Sequence, residues 1–144
     1  MKKSIFLVLV ALTISTVSAQ QISLYDKDRE AIAYIDYDKD AAIFMWDGTP
    51  VAFIEKKGED LCVFGYNGSF LGWYEDGIIY DEDRIVGAKK GAIKFMIPKY
   101  ERIKGPQKLL PIRPITIYVP IKPIFFKDSW SSTSLTEFLY SGKK

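Results

Sequence analysis

Between residues 20 and 90 the hydrophobic positions fall in short runs, as in strands and not helices. The runs are cut at regular intervals by an aromatic residue followed by Asp or Asn. Four such segments align. The first is Tyr25-Asp26, leading to Ile32-Ala33-Tyr34-Ile35. The second is Trp46-Asp47-Gly48, leading to Val51-Ala52-Phe53-Ile54. The third is Tyr66-Asn67-Gly68, leading to Leu71-Gly72-Trp73-Tyr74. The fourth is Tyr80-Asp81, leading to Val86-Gly87-Ala88. A period near twenty residues (roughly) is the mark of stacked or radially arranged units.

Asp-Gly and Asn-Gly between apolar runs predict β-hairpins with type I′ turns, which need positive φ at both central residues. Pairing across Asn67-Gly68 sets Tyr66 against Ser69, Phe64 against Leu71 and Cys62 against Trp73. Pairing across Asp47-Gly48 sets Trp46 against Thr49, Phe44 against Val51 and Ile43 against Ala52. Alternation then places Phe44, Trp46, Val51 and Phe53 on one face and Ile43, Met45, Ala52 and Ile54 on the other. Both faces are apolar, so both are expected to be covered. A small residue follows the branched one in every unit: Ala33, Ala52, Gly72 and Gly87. Small residues at equivalent strand positions mark close approach, which predicts four hairpins converging on a pseudo-fourfold axis.

The last third reads differently. Pro98, Pro106, Pro111, Pro114, Pro120 and Pro123 exclude helix and central strand and favour extended backbone. Pro111-Ile112-Arg113-Pro114 is echoed by Pro120-Ile121-Lys122-Pro123. The residues between the prolines are too apolar for a free linker. The segment is therefore expected to lie on the hairpins with Leu109, Ile112, Ile117, Phe125 and Phe126 turned inward, and Arg113, Lys122 and Lys127 near acidic turns. Ser134 and Glu137 have capping-box spacing. Leu135, Phe138 and Leu139 form an apolar stripe and Gly142 can end the helix, which predicts a short docked C-terminal helix.

The start of the chain has the form of a signal peptide. Lys2 and Lys3 precede an apolar run from Ile5 to Leu12, and Val17-Ser18-Ala19 supplies small residues for cleavage before Gln20. No later segment is long and apolar enough to cross a bilayer as a helix. The expected organisation is a leader at 1–19, a four-hairpin domain at 20–104, and a proline-rich basic arm with a terminal helix at 105–144. The expected location is the periplasm or the cell exterior. Without Lys2 and Lys3 the chain holds 18 basic and 18 acidic residues. That balance argues against nucleic acid as a partner. Yet residues 20–87 carry a net −9 and residues 88–144 a net +9. The split suggests either an arm lying on the acidic part or an anionic envelope polymer as partner.

The 144 residues include no histidine and one cysteine, Cys62. Histidine-based catalysis, histidine metal sites and an intramolecular disulfide are excluded. Asp36, Asp38 and Asp40 have the alternate-acid spacing of a calcium loop. Ala41 stands where the loop needs glycine, so the EF-hand pattern fails. Nothing singles out two carboxylates as a hydrolase pair. Cys62, opposite Trp73, reads as a small buried apolar residue. No cofactor and no enzymatic activity are expected. Trp46, Tyr66, Trp73, Tyr74 and Tyr80 are the candidate ligand-stacking residues, a platform on which an envelope glycan would lie. Core packing explains the same rings more simply.

The runs Phe44-Met45-Trp46-Asp47-Gly48-Thr49-Pro50-Val51-Ala52-Phe53 and Phe64-Gly65-Tyr66-Asn67-Gly68-Ser69-Phe70-Leu71-Gly72-Trp73-Tyr74-Glu75-Asp76-Gly77 resemble the bacterial four-fold beta flower domain. So does the ending Ser129-Trp130-Ser131 with Leu135-Thr136-Glu137-Phe138-Leu139. The resemblance implies a small all-β rosette and carries no catalytic residue with it. The functional expectation is an exported, non-enzymatic β-repeat protein with a structural or binding role in the cell envelope. The alternative is a carbohydrate- or cell-wall-binding module.

Overall fold

The computed structural model describes residues 20–142, so the leader at 1–19 lies outside the described residues. Eight strands follow in order: β1 (Gln21–Tyr25), β2 (Ala31–Asp36), β3 (Ala42–Met45), β4 (Pro50–Lys57), β5 (Asp60–Gly65), β6 (Phe70–Glu75), β7 (Ile78–Tyr80) and β8 (Ile85–Ala88). Each pairs antiparallel with the next, and β8 meets β1 through Ala88 and Tyr25, closing a barrel. Residues 89–134 then run without strand or helix apart from one bridge, Ile85 to Trp130. A helix, α1 (Leu135–Tyr140), ends the described chain.

The four sequence repeats are the hairpins β1–β2, β3–β4, β5–β6 and β7–β8. Each has one register shift, and the shifts are equivalent: at Leu24/Tyr25, Ile43/Phe44, Val63/Phe64 and Ile79/Tyr80. The unmatched residues on the partner strands are Ile32, Val51, Leu71 and Val86. These are the residues that precede Ala33, Ala52, Gly72 and Gly87. A bulge bends its strand and raises the local twist, so four bends at equivalent places curl the sheet shut. Val51 and Ala52 both belong to the interior cluster. Where two successive side chains point inward, only one can be large. That is the physical origin of the recurring branched-then-small pair.

The bulges correct two expectations. Val51 does not share a face with Phe44, Trp46 and Phe53; it joins Ile43, Met45, Ala52 and Ile54 inside. Ile43 does pair with Ala52 and Cys62 with Trp73, but Phe44 meets Pro50 and Phe64 meets Phe70. The turns differ as well. Gly48 N–H donates to Met45 C=O at 2.9 Å and Gly68 N–H to Gly65 C=O at 2.9 Å. Only Gly48 and Gly68, at φ +92° and +87°, take the left-handed side there, while Asp47 and Asn67 do not. The loop is thus a type I turn followed by a glycine bulge. The reason is local: Asp47 Oδ1 accepts from Thr49 N–H at 2.9 Å and Asn67 Oδ1 from Ser69 N–H at 3.0 Å, spanning the glycine. The two-residue turn with positive φ at both centres lies instead at Asp76 (+52°) and Gly77 (+80°).

Gly48 and Gly68 separate strain from crowding. A Cβ at Gly68 meets nothing nearer than 3.7 Å, whereas one at Gly48 falls on the Pro106 carbonyl oxygen. Gly68→Ala is expected to cost about 1 kcal/mol from its positive φ alone. Gly48→Ala should cost clearly more, because residues around Pro106 must also move. Urea denaturation of the two variants checks the order.

The interior holds Leu24, Ile35, Ile43, Ile54, Val63 and Ile79, and α1 adds Leu135, Phe138 and Leu139 to the same cluster. Ser134 caps α1, accepting from Glu137 N–H at 3.1 Å. The helix thus plugs the rosette. It lies against the glycine positions: a Cβ on Gly72 would stand 2.8 Å from the Phe138 ring, and one on Gly87 2.7 Å from Leu135. Gly65 and Gly142 approach backbone to backbone. The outer surface of the barrel carries two aromatic clusters, one around Phe53, Phe64 and Trp73 and one around Tyr34, Phe44 and Trp46.

Candidate functional site

Residues 97–127 form a belt around these outer aromatics. Its contacts follow the strand order. Glu101 accepts from Tyr25 of β1. Lys104 donates to Gln21 at 2.8 Å and sits 4.5 Å above the Tyr34 ring of β2. Gln107 donates to Asp36 at 2.7 Å, and Lys108 N–H to Gly48 C=O at 2.9 Å. Arg113 donates to the Asp40 carbonyl and covers the Phe53 ring of β4 at 4.2 Å. Thr116 donates to Glu55. Lys122 pairs with Asp60 at 3.1 Å and with Glu75. Phe126 stacks on Tyr80 of β7 at 4.0 Å, and Lys127 pairs with Asp83 at 3.1 Å.

The belt therefore docks, and its bases do reach acidic turns, but its side chains are inverted relative to expectation. Leu109, Ile112, Ile117 and Phe125 are 95%, 95%, 88% and 83% exposed, and only Phe126 of the five packs inward. The backbone repeat explains this. From Ile97 to Ile124 every third side chain except Pro106 is an aliphatic or tyrosine, between 71% and 98% exposed. One residue further on, the same period carries Glu101, Lys104, Gln107, Arg113, Thr116 and Lys122 inward. Three residues per turn is the polyproline II repeat, so only one side chain in three can face the barrel. Polar side chains take most of that place, Lys104, Arg113 and Lys122 among them, because the barrel offers ring faces rimmed by carboxylates; Val119 is an apolar exception. Exposed ion pairs contribute at most about 1 kcal/mol each. Trypsin is expected to cut after Lys90 and Lys94 well before Lys104 and Lys108 in the native protein, because Gly105 N–H and Lys108 N–H are bonded to the barrel carbonyls of Trp46 and Gly48; mass spectrometry of a time course reads the order.

The candidate stacking residues are placed by this architecture. Trp46, Tyr66, Trp73, Tyr74 and Tyr80 are all buried, at 8%, 3%, 3%, 8% and 8% exposure. The five are not brought together: Tyr74 belongs to the interior, Trp46 to one outer cluster, and Tyr66, Trp73 and Tyr80 to the other. Trp46 donates its ring N–H to the Arg102 carbonyl at 3.0 Å. Burial pushes the Tyr74 and Tyr66 hydroxyls up. Burial, with the Glu101 bond, takes Tyr25 to about 12. Asp36, of the alternate acids, is buried and caps the turn at Tyr37–Lys39, accepting from Asp38 N–H at 3.0 Å. Among the described residues no group of three acids or thiols is placed to hold a metal ion.

Cys62 is fully buried, and burial followed by the Asp60 charge pushes its thiol from 9.0 to about 11. The unfolded chain releases this proton near pH 9 while the fold retains it. Stability from this group is thus full below about 9 and lost as pH rises toward 11. Lys122, raised by its bonds to Glu75 and Asp60, has the same sign: its contribution is present below 10.5 and lost above the raised value. Thermal melts are expected to fall from about pH 9 upward, less steeply in Cys62→Ala. A thiol reagent at pH 8 should react roughly a hundredfold faster after denaturation than before.

What sequence reasoning missed is the outward row. Its signal was the period of three from Ile97 to Ile124, visible in the sequence once every third residue is read. These side chains expose on the order of 1,000 Å² of apolar surface. A typical monomer's largest patch is about 300–600 Å².

A closed rosette of four bulged hairpins, plugged by its own C-terminal helix, defines a class of small β-repeat proteins. The chain belongs to the 4-fold beta flower family, whose family model matches residues 22–139. No curated protein and no solved structure matches it. Among the described residues no helix is long and apolar enough to cross a membrane.

Proposed function

We propose that this is an exported, non-enzymatic β-repeat protein with a structural or binding role in the cell envelope. One observation carries the reading: Trp46, Tyr66, Trp73 and Tyr80 are buried in the outer clusters under the belt and Tyr74 inside the barrel, and the belt presents an aliphatic row in their place. The rosette then serves as a rigid hub, and binding belongs to the surface wrapped around it. Export is tested by the N-terminus of protein recovered from an envelope fraction. Gln20 is the expected first residue, and recovery with Lys2 retained counts against the proposal.

The carbohydrate-binding alternative rests on a groove of about 400 Å³ between barrel and belt, lined by Phe70, Trp73, Tyr118 and Pro120 with Asp81 and Glu82 at its edge. Retention on insoluble peptidoglycan, lost in Tyr118→Ala, would favour it. An anionic envelope polymer as partner predicts retention that Tyr118→Ala leaves intact and that salt abolishes.

A further inference from the structure

We infer that the arc of the belt from Lys94 to Leu109 docks on an anionic lipid surface. The proposal deepens the envelope-binding reading and rests on it for the compartment. The two halves of the belt differ in charge. Between Ile112 and Phe125 both bases, Arg113 and Lys122, are engaged on the barrel, and the remaining exposed side chains are uncharged. Between Lys94 and Leu109 only Lys104 turns inward, and the other four bases stay outside with the apolar row. Phe95, Tyr100, Ile103 and Leu109 are 92%, 96%, 96% and 95% exposed, and Ile97 is 71% exposed. Lys94, Lys99, Arg102 and Lys108 are exposed between them.

The one acid within the arc and the acid paired with Lys99 are both engaged. Glu101 is bonded to Tyr25, and Glu30 answers Lys99 at 3.6 Å. Lys94, Arg102 and Lys108 make no ion pair among the described residues. Interleaved aliphatic, aromatic and basic side chains fit the boundary between headgroups and acyl chains. The apolar groups enter the acyl edge, tyrosine rests at the headgroup level, and the bases meet lipid phosphates. A polysaccharide fits less well, because bare Ile and Leu side chains offer no hydrogen bond to its hydroxyls.

The test uses purified protein beginning at Gln20, with sedimentation against two vesicle types. One is phosphatidylcholine alone; the other is phosphatidylcholine mixed with phosphatidylglycerol. Binding to the anionic vesicles is expected to be at least about tenfold tighter, and to weaken with salt. Ile97→Ser/Tyr100→Ser/Ile103→Ser and Lys94→Glu/Arg102→Glu should each lose it, and Ile121→Ser/Ile124→Ser should keep it. Melting curves should be unchanged, since the replaced side chains face solvent. In Tyr100→Trp, brominated acyl chains should quench the added fluorescence, which reports insertion without disrupting the arc. Equal binding to both vesicles, or equal loss in the Ile121/Ile124 variant, overturns the proposal. So does a dimer that the Ile97/Tyr100/Ile103 variant splits while vesicles go unbound, which would make a second copy the occupant. Failure of the vesicle test with Gln20 as the recovered N-terminus leaves export standing, and the reverse result leaves lipid binding standing.

Discussion

A chain ending at Ser134 is expected to lose the cooperative fold, not merely its last helix. α1 sends Leu135, Phe138 and Leu139 into the barrel interior, where each is at most 4% exposed. Burying a side chain of this size contributes about 1.5–3 kcal/mol, so the three together are worth about 5–9 kcal/mol. Native domains have only about 5–15 kcal/mol in total. The truncation also leaves Ile35, Val63, Ile79 and Val86, which share the cluster with the helix, open to water. The expected product binds a hydrophobic dye, loses its near-UV signal and melts without a sharp transition. The single variant Phe138→Ala should cost about 3–5 kcal/mol and keep a cooperative melt. If the truncated chain melts within a few degrees of the full one, the helix is an ornament and the barrel is filled by its strands alone.

The helix was legible before any coordinates. Ser134, Glu137 and the Leu135/Phe138/Leu139 stripe are local signals, and each has one physical meaning. The four hairpins were legible because a repeat averages out the ambiguity of any one turn. Cys62 against Trp73 and Ile43 against Ala52 followed from counting outward from the glycines. The same counting failed at Phe44 and Phe64, one step closer to the turn. There an Asx side chain converts the loop from two residues to three, and the extra residue is absorbed as a bulge. Nothing in Asp47-Gly48 taken alone distinguishes those outcomes; the recurring pair Val51-Ala52 does, once a bulge is known to send both residues inward.

The direction of the belt's side chains does not follow from apolarity alone. The barrel's outer face was already aromatic and ringed with carboxylates, so it offered more to Lys104, Arg113 and Lys122 than to Ile112 or Ile121. An extended segment with one inward residue in three must choose, and here most of those places go to polar side chains, three of them cations. The charge division between residues 20–87 and 88–144 pointed the right way. The stacking residues were legible as a set of repeat-equivalent rings, but the burial of Trp46, Tyr66, Trp73 and Tyr80 depends on the belt and could not be read from the hairpins.

Replacing Gly72 by valine is expected to cost about 3 kcal/mol, among the largest single-residue effects outside α1. Gly72 pairs with Val63 next to the bulge at Leu71. A Cβ there would fall on the backbone oxygen of Tyr80, on the neighbouring strand, as well as 2.8 Å from the Phe138 ring. A backbone oxygen held in a ladder cannot step aside as the tip of a flexible side chain can. Gly87 supplies the contrast, since its Cβ would meet only the end of Leu135. The order of destabilisation is therefore Gly72→Val, then Gly72→Ala, then Gly87→Ala, the last under about 1 kcal/mol. The first two units carry Ala33 and Ala52 at the equivalent places, both fully buried, so a Cβ is accommodated there. A single helix cannot fill a four-fold socket symmetrically: it runs closest to β4 and β8, while its Phe138 and Leu135 side chains fill the space over Gly72 and Gly87. Chemical denaturation of the three variants decides the matter. If Gly72→Val unfolds at the wild-type midpoint, the helix does not sit against β6.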